Sequence, residues 1–324
     1  MRVRLLPLLP FVLLAGLAQP ASALNIVLSN DDGLTSNVKA LYEALKAKGH
    51  DVIVSVPCTG QSGMGGAVKF LTPLTPLTAP CLNGAAAAGA PGAGPMSKAG
   101  FTNGDYHYVN GTPIMALLYG LDVQAQARWG KAPDLVLSGP NEGQNVGHIV
   151  NSSGTIGNAQ NAASRGIPSI ALSADADTTD NVNLAAPKSA TVAKLSVDLI
   201  AALQAKAGTG PLLPAGLALN VNFPQVLDGA KWKFARIGSY NAYKVKFVKD
   251  LGADPVAASY GLSQVHLPGV TLEMNTAPAT EAQAEDESIV YKKDIAVTAM
   301  QVAYDHRAAG QQWLRLRLRD LLSQ

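Results

Sequence analysis

The chain has 324 residues, of which 48% are hydrophobic, and its 25 Lys and Arg residues nearly balance its 23 Asp and Glu residues. A formal net charge of +2 argues against a surface that coats nucleic acid, because such a surface needs a clear basic excess. The length and the apolar content suit one large domain, or one domain with an appendage.

Residues 1–23 have the pattern of a secretory signal peptide. Arg2 and Arg4 precede an apolar run over residues 5–17, and a short stretch of small residues follows it. The run is too short to span a bilayer. We therefore expect cleavage before Leu24 and a periplasmic or secreted protein without a membrane segment.

The only two cysteines are Cys58 and Cys81. In an oxidising compartment an even pair is a candidate disulfide. Two unpaired, buried thiols are the alternative that the sequence leaves open.

The first predicted element is a buried strand over residues 25–29, which runs into the motif Asn30-Asp31-Asp32-Gly33. In open α/β sheets ligands bind beyond the carboxyl ends of the strands, so the two carboxylates would face a substrate or an ion. The alternative is a turn with a helix cap, because Asn and Asp favour both. A helix over 34–49 and a strand over 51–55 then complete a parallel crossover unit.

This order of elements predicts an α/β fold of Rossmann-like type, with three layers and a mainly parallel sheet. A dinucleotide site is disfavoured, because Asp31 and Asp32 would repel a pyrophosphate at the first turn. The loop after the second strand brings Ser62 to the same edge of the sheet. Residues 78–104 are rich in Ala, Gly, Pro and Ser and predict a flexible insertion.

Two later segments add polar groups to that edge. A buried strand over 134–138 runs into Asn141, and Ser153, Gly154 and Thr155 stand at the start of a predicted helix. Backbone N–H groups at a helix start favour a phosphate or another anion, although ordinary capping uses the same residue types.

The last third of the chain, residues 225–324, completes a single domain over 24–324. Aromatic and lysine residues over 232–248 predict a projecting β-hairpin, and a strand is expected over 291–300. The leucines and arginines of 313–319 fit either a strand or a helix.

Asp31, Asp32, Ser62 and Asn141 form a set of oxygen donors. Such a set selects a hard cation, Mg²⁺ or Mn²⁺ with Ca²⁺ also compatible, over zinc. One such cation per subunit would polarise a phosphoryl oxygen, and Asp31 or Asp32 would take a proton from the attacking water. His148 is a candidate for protonating the leaving group, with a structural role as the alternative. The residues predict phosphomonoester hydrolysis; a non-catalytic binding module is the second hypothesis.

The motifs resemble those of the SurE survival-protein family of nucleotidases, which are also described as acid phosphatases. They occur in the same order along most of the chain after residue 23: Leu28-Ser29-Asn30-Asp31-Asp32-Gly33, Gln61-Ser62-Gly63, Val109-Asn110-Gly111-Thr112-Pro113, Ser138-Gly139-Pro140-Asn141, Ser153-Gly154-Thr155 and Asn220-Val221-Asn222-Phe223-Pro224.

The resemblance implies a divalent-metal-dependent phosphatase that acts on 5′- or 3′-nucleotides. It implies metal ligation by Asp31, Asp32, Ser62 and Asn141. We expect substrate contacts from Asn30, Asn141, Ser153, Gly154 and Thr155. It also implies a homodimer or homotetramer in which the hairpin and the C-terminal segment exchange between subunits. The chain departs from the family pattern at Ser152, where a tyrosine is usual, and at Cys58, where an aspartate is usual.

Overall fold

A computed structural model describes residues 23–178, 180–302 and 308–322. The predicted signal peptide lies outside the described residues, apart from Ala23. Among the helices of the described part, none has both the length and the apolar character needed to cross a bilayer.

A nine-stranded sheet forms the centre of the fold. The strands of the described chain are β1 (Asn25–Ser29), β2 (Asp51–Pro57), β3 (Ala93–Pro95), β4 (Tyr106–Val109), β5 (Leu135–Glu142), β6 (Ser169–Ala174), β7 (Leu217–Asn222), β8 (Trp232–Ala235), β9 (Tyr243–Val248), β10 (Gly269–Met274) and β11 (Ile295–Gln301). The sheet order is β3-β4-β2-β1-β5-β6-β7-β11-β8. Strands β4, β2, β1, β5, β6 and β7 are parallel to one another, whereas β3 and β11 are antiparallel to their neighbours β4 and β7.

Helices lie on both faces of this sheet. The helices of the described chain are α1 (Ser36–Ala47), α2 (Pro113–Leu118), α3 (Gln126–Trp129), α4 (Gly154–Ser164), α5 (Pro187–Ala207), α6 (Pro255–Ala257), α7 (Glu287–Val290), α8 (Ala308–Arg317) and α9 (Arg319–Leu322). A π-helical stretch, Tyr119–Ala125, joins α2 to α3. Helices α1 and α5 pack together on one face, and α2 and α4 on the other. The predicted three-layer α/β fold with a mainly parallel sheet is confirmed.

The parallel strands meet at a switch point beside β1. The chain adds β2 and β4 on one side of β1 and then β5, β6 and β7 on the other. Ligands of open α/β sheets bind beyond the carboxyl ends of strands at such a point. The ends of β1 and β5 are therefore the place where this topology favours a site.

Local sequence signals explain the helix starts. The Thr35 hydroxyl accepts a hydrogen bond from Val38 N (3.3 Å), and Thr112 caps α2 in the same way, with Pro113 as its first residue. Such caps satisfy backbone donors that have no partner within the helix. The first helix starts at Ser36, within the predicted segment 34–49, and Thr35 is its cap.

The hairpin has different strands from those expected. Strand β8, at the start of the predicted hairpin, joins the edge of the main sheet beside β11. The antiparallel pair consists instead of β9 and β10, which form a separate two-stranded sheet. At the C-terminus the described residues form α8 and α9, so the helix is the correct one of the two alternatives.

Residues 78–104 pack against the core, which contradicts their interpretation as a flexible insertion. Strand β3 lies in this segment and pairs with β4. Cys81, Ala86, Met96 and Phe101 are buried in the core cluster that also contains β1 and β2 side chains. Cys81 forms a disulfide with Cys58, which confirms the predicted pair. The covalent bond and the burial both fix the segment beside the end of β2.

Candidate active site

The turn after β1 places the two adjacent carboxylates. Asn30 is fully buried; its Oδ1 accepts a hydrogen bond from Gly33 N (3.1 Å), and its Nδ2 donates to Gly33 O (2.8 Å). Gly33 has φ +97°, and a Cβ atom there would lie 3.1 Å from Pro57 O, so glycine is required. The Asn30 amide faces its own turn in this arrangement. It holds Asp31 and Asp32 in place, and its predicted contact with substrate stays a prediction.

Asp31 lies against the start of α4. The Thr155 hydroxyl donates a hydrogen bond to Asp31 Oδ1 (2.6 Å), and the Ser153 side chain caps the helix by accepting from Ile156 N (3.1 Å). A Cβ atom at Gly154 would lie 2.7 Å from Asp31 Cβ, so only glycine permits this approach. Of the three residues that the sequence predicts as a phosphate site, Gly154 and Thr155 therefore stabilise a carboxylate directly, and Ser153 caps the helix.

Burial raises the pKa of Asp31, and hydrogen bonds from the Thr155 hydroxyl and from the backbone of Gly154 and Thr155 oppose that rise. The pKa of Asp32 is raised well above its ordinary value, first by burial and then by the negative charges of Asp31 and Glu142. The charges that act on Asp32 are thus all negative. A bound cation would relieve this repulsion and favour the ionised forms.

Asn141 lies at the end of β5, beside Asp32. Asp32 Oδ2 accepts a hydrogen bond from Glu142 N (3.1 Å), which joins the end of β1 to that of β5. Asn141 Nδ2 donates to Gly143 O (2.7 Å), so the side-chain oxygen is the atom left for a cation. The β5 register against β6 shifts between Ser138 and Asn141, which bends the strand end at this point.

Ser62 belongs to an exposed loop that two backbone hydrogen bonds tie to the same region. Gln61 N donates to Asp31 O (2.7 Å), and Gly65 N donates to Ser152 O (2.9 Å), one residue before the α4 cap. The loop, which follows β2 in the sequence, therefore contacts both the end of β1 and the start of α4. Ser62 is exposed and directly follows a residue that binds the backbone of Asp31.

These residues fit a hard divalent cation. In the described part of the chain, no group of three or more His, Cys, Asp or Glu residues is placed to hold a metal ion by itself. The donor set here is instead two carboxylates, one hydroxyl and one amide oxygen, which is the chemistry that Mg²⁺, Mn²⁺ and Ca²⁺ prefer.

His148 lies apart from this set. Its backbone N–H donates to Asn241 Oδ1 (2.8 Å), and the residue lines a cavity of about 510 Å³ at the base of the β9–β10 hairpin, with Lys244 and Glu273. Its predicted role in leaving-group protonation has no support from a contact with the carboxylates.

Sequence reasoning missed a layer of asparagines behind the site. Asn145 Nδ2 donates to Ser173 Oγ (2.9 Å) and to Thr155 Oγ1 (3.4 Å), so it contacts the residue that binds Asp31. Asn220 and Asn222 on β7 both donate to Asn145 O, at 2.9 and 3.0 Å. Their alternation in a buried strand is the signal that could have found them, because buried amides require partners.

The fold is of the α/β class, and known proteins similar to this chain are phosphoric monoester hydrolases. The profile of the family described as Survival protein SurE matches residues 26–244. The chain belongs to the SurE family. Dependence on a divalent metal is general in this family, which agrees with the donor set.

Relatives with assigned names fall in the same enzyme class. An acid phosphatase of Yarrowia lipolytica is 37% identical over 217 residues, which covers 64% of this chain and 58% of that protein. A 5′-nucleotidase SurE of Thermosipho africanus is 30% identical over 277 residues and covers 85% of this chain and 92% of that protein. The crystal structure of the SurE protein from Aquifex aeolicus aligns with TM-score 0.61 and 26% identity, over 90% of this chain and 99% of that one.

Proposed function

We propose that this protein is an exported phosphomonoesterase that hydrolyses nucleoside 5′- or 3′-monophosphates with one bound Mg²⁺ or Mn²⁺ per subunit. The observation that carries the proposal is the junction of β1, β5 and α4, where Asp31 and Asp32 stand together with Asn141 and the helix start. The names of the relatives, 5′-nucleotidase and acid phosphatase, support the substrate class.

In the proposed mechanism, Asp31, Asp32, Ser62 and Asn141 hold the cation. The cation, when bound, supplies a Lewis acid for a phosphoryl oxygen and lowers the pKa of water. Asp31 or Asp32 accepts the proton of the attacking water. Thr155 orients Asp31 by its hydrogen bond, and the N-terminal end of α4 favours the negative charge that the phosphate brings.

An assay of phosphate release tests the proposed reaction. We expect hydrolysis of nucleoside monophosphates with Mg²⁺ or Mn²⁺, loss of activity in a strong chelator, and loss in Asp31→Asn. Asp198→Asn is the matched control, because Asp198 is a carboxylate at the solvent-exposed side of α5, paired with Lys194. Activity that survives both the chelator and Asp31→Asn would contradict the proposed site.

A non-catalytic binding module of the same fold is the alternative function. It predicts that a nucleoside monophosphate and Mn²⁺ bind in a calorimeter while no phosphate is released. Substrate turnover by the purified protein excludes it.

Export is proposed from the pattern of residues 1–23, and the disulfide Cys58–Cys81 supports it, because disulfides persist in oxidising compartments. Mass measurement of the N-terminal peptide from the periplasm or medium tests it. A mature chain that starts at Leu24 is expected, and a cytoplasmic chain that retains Met1 would contradict it.

A homodimer or homotetramer is proposed through the hairpin and the C-terminal helices. Both carry exposed apolar side chains, as surfaces that associate often do. They include Phe247, Val270, Met274, Trp313 and Leu316. Light scattering on the protein as it elutes from a size-exclusion column measures the mass of the assembly. A monomer at micromolar concentration would contradict the proposal.

A further inference from the structure

Glu287 is a fully buried carboxylate at the first position of α7. Its Oε1 accepts a hydrogen bond from Gly147 N (3.1 Å), and its Oε2 accepts from Asn220 Nδ2 (2.9 Å) and from Thr298 Oγ1 (2.9 Å). All three donors are neutral. An acid buried among neutral partners costs folding free energy, so stability alone does not explain a carboxylate at this position.

A continuous series of buried hydrogen bonds joins Glu287 to the active site. Asn220 Nδ2, which binds Glu287, also donates to Asn145 O (2.9 Å). Asn145 Nδ2 in turn contacts Thr155 Oγ1 (3.4 Å), and Thr155 donates to Asp31 Oδ1 (2.6 Å). The path therefore runs from the C-terminal part of the chain to a proposed metal ligand.

A second connection runs through the backbone. Gly147, which donates to Glu287, lies six residues after Asn141 in the segment that follows β5. Gly147 has φ +60°, and a Cβ atom there would lie 2.6 Å from Asn241 Oδ1. This close packing leaves the segment little room to move, so a change at Glu287 reaches residues 141–147 directly.

We propose that Glu287 is a positioning residue of the active site, which fixes the segment 141–147 and, through Asn220 and Asn145, the Thr155–Asp31 pair. The proposal rests on the proposed function, since it assigns the residue a role in that reaction. Glu287 lies beyond residues 26–244, the part that matches the family profile. Partners that orient metal ligands in this way commonly change metal affinity or activity by 10- to 100-fold when altered.

The hydrogen-bond inventory shows why a carboxylate is needed. Gly147 N and Asn220 Nδ2 can only donate, so an acceptor must face each of them. A glutamine at 287 keeps one acceptor oxygen but turns an NH₂ group toward Asn220 or Gly147, and one of these bonds is lost. Glu287→Gln therefore keeps the size of the side chain nearly the same and breaks one of the hydrogen bonds to Gly147 N or Asn220 Nδ2.

The test compares Glu287→Gln with Asp254→Asn in the full mature chain. Asp254 is also a buried acid that accepts hydrogen bonds from two backbone N–H groups and from Thr271, but it pairs with Lys246 and lies in the segment that connects β9 to β10. Amide hydrogen exchange of residues 143–147 and Mn²⁺ affinity by calorimetry are measured beside kcat and KM for a nucleoside monophosphate.

We expect Glu287→Gln to speed exchange over 143–147 and to weaken Mn²⁺ binding or lower kcat by about 10-fold or more. Asp254→Asn should leave these three readouts as in the wild type. If Glu287→Gln does not fold, Thr298→Val, which removes one donor to the same carboxylate, is expected to change the same readouts, and Thr298→Ser to restore them.

The inference would be overturned if Glu287→Gln showed the hydrogen exchange and the Mn²⁺ affinity of the wild type. If Glu287→Gln does not fold, the same result in Thr298→Val would overturn it. A wild-type protein that releases no phosphate from any ester would instead contradict the proposed function. Hydrogen exchange and Mn²⁺ affinity would still show in that case whether Glu287 controls the segment.

Discussion

The Thr155 hydroxyl donates a 2.6 Å hydrogen bond to Asp31 Oδ1 and so connects the start of α4 to the end of β1. Asp31 is almost fully buried, and this bond opposes the rise in pKa that burial causes. Through this short contact the helix orients the carboxylate.

Thr155→Val should lower kcat/KM by about 10- to 100-fold, because Asp31 loses the donor that orients it. The free energy of unfolding should fall by about 1–3 kcal/mol in the absence of metal, the usual effect of leaving a buried acceptor without its partner. Steady-state phosphate release and urea unfolding measure both. Thr155→Ser, which retains the hydroxyl, is the control. Equal kcat/KM in Thr155→Val and the wild type would contradict the proposed role.

Gly154→Ala should destabilise the site, because the added Cβ would lie 2.7 Å from both Asp31 Cβ and Pro113 Cγ. The expected loss is about 1–3 kcal/mol of unfolding free energy, typical of overpacking, together with weaker Mn²⁺ binding. Calorimetry and thermal unfolding give the two values. Gly66→Ala is the matched control in the neighbouring loop, where a Cβ atom has open space. A Gly154→Ala protein as stable as Gly66→Ala would refute the prediction.

The stability of the protein should depend on pH through Glu287. Burial is the main cause that raises its pKa from 4.5 to about 7, and the Asp286 charge adds to it, although Arg236 pairs with Asp286. Tyr243 on β9 faces Glu287, and the negative charge of Glu287 contributes, after burial, to the raised pKa of Tyr243.

Since the folded-state pKa is raised, the stabilising contribution is complete below pH 4.5 and is lost as the pH rises through about 7. Ionisation then costs on the order of 3 kcal/mol. Urea unfolding between pH 5 and 8 should show wild-type stability falling relative to Glu287→Gln. A difference between the two proteins that does not change with pH would contradict the raised pKa.

Replacement of both cysteines, Cys58→Ser with Cys81→Ser, should lower the free energy of unfolding by roughly 3 kcal/mol. The bond closes a loop with a sequence separation of 23 residues, and the chain-entropy relation gives this magnitude for such a loop. Unfolding with and without a reducing agent measures it. The double variant should not respond to the reductant, whereas the wild type should lose stability; a wild type that also fails to respond would contradict the prediction.

Features set by neighbouring residues could be predicted from the sequence. The Thr112-Pro113 helix start and the strand that ends at Ser29 depend on signals within a few residues, and both are present in the structure. The Cys58–Cys81 disulfide was one of the two alternatives that the sequence left open, and the expected compartment favours it. In each case the physical cause lies in the local chain or in the composition.

Features set by distant contacts could not be predicted. The bond between Asn220 and Glu287 joins residues 67 positions apart, and no local pattern marks it. The segment 78–104 has the composition of a linker, yet Phe101 and Met96 are buried in the core. Their burial depends on the pairing of β3 with β4, which small, weakly polar residues do not reveal.

The position of β11 has a consequence for the order in which the chain assembles. This strand lies between β7 and β8, both of which precede it in the sequence. During translation β7 therefore presents a bare edge, and β8 has no place in the sheet until residue 301 has left the ribosome. Unpaired edges invite association with other chains, so nascent protein truncated before Ile295 should be captured by chaperones or aggregate.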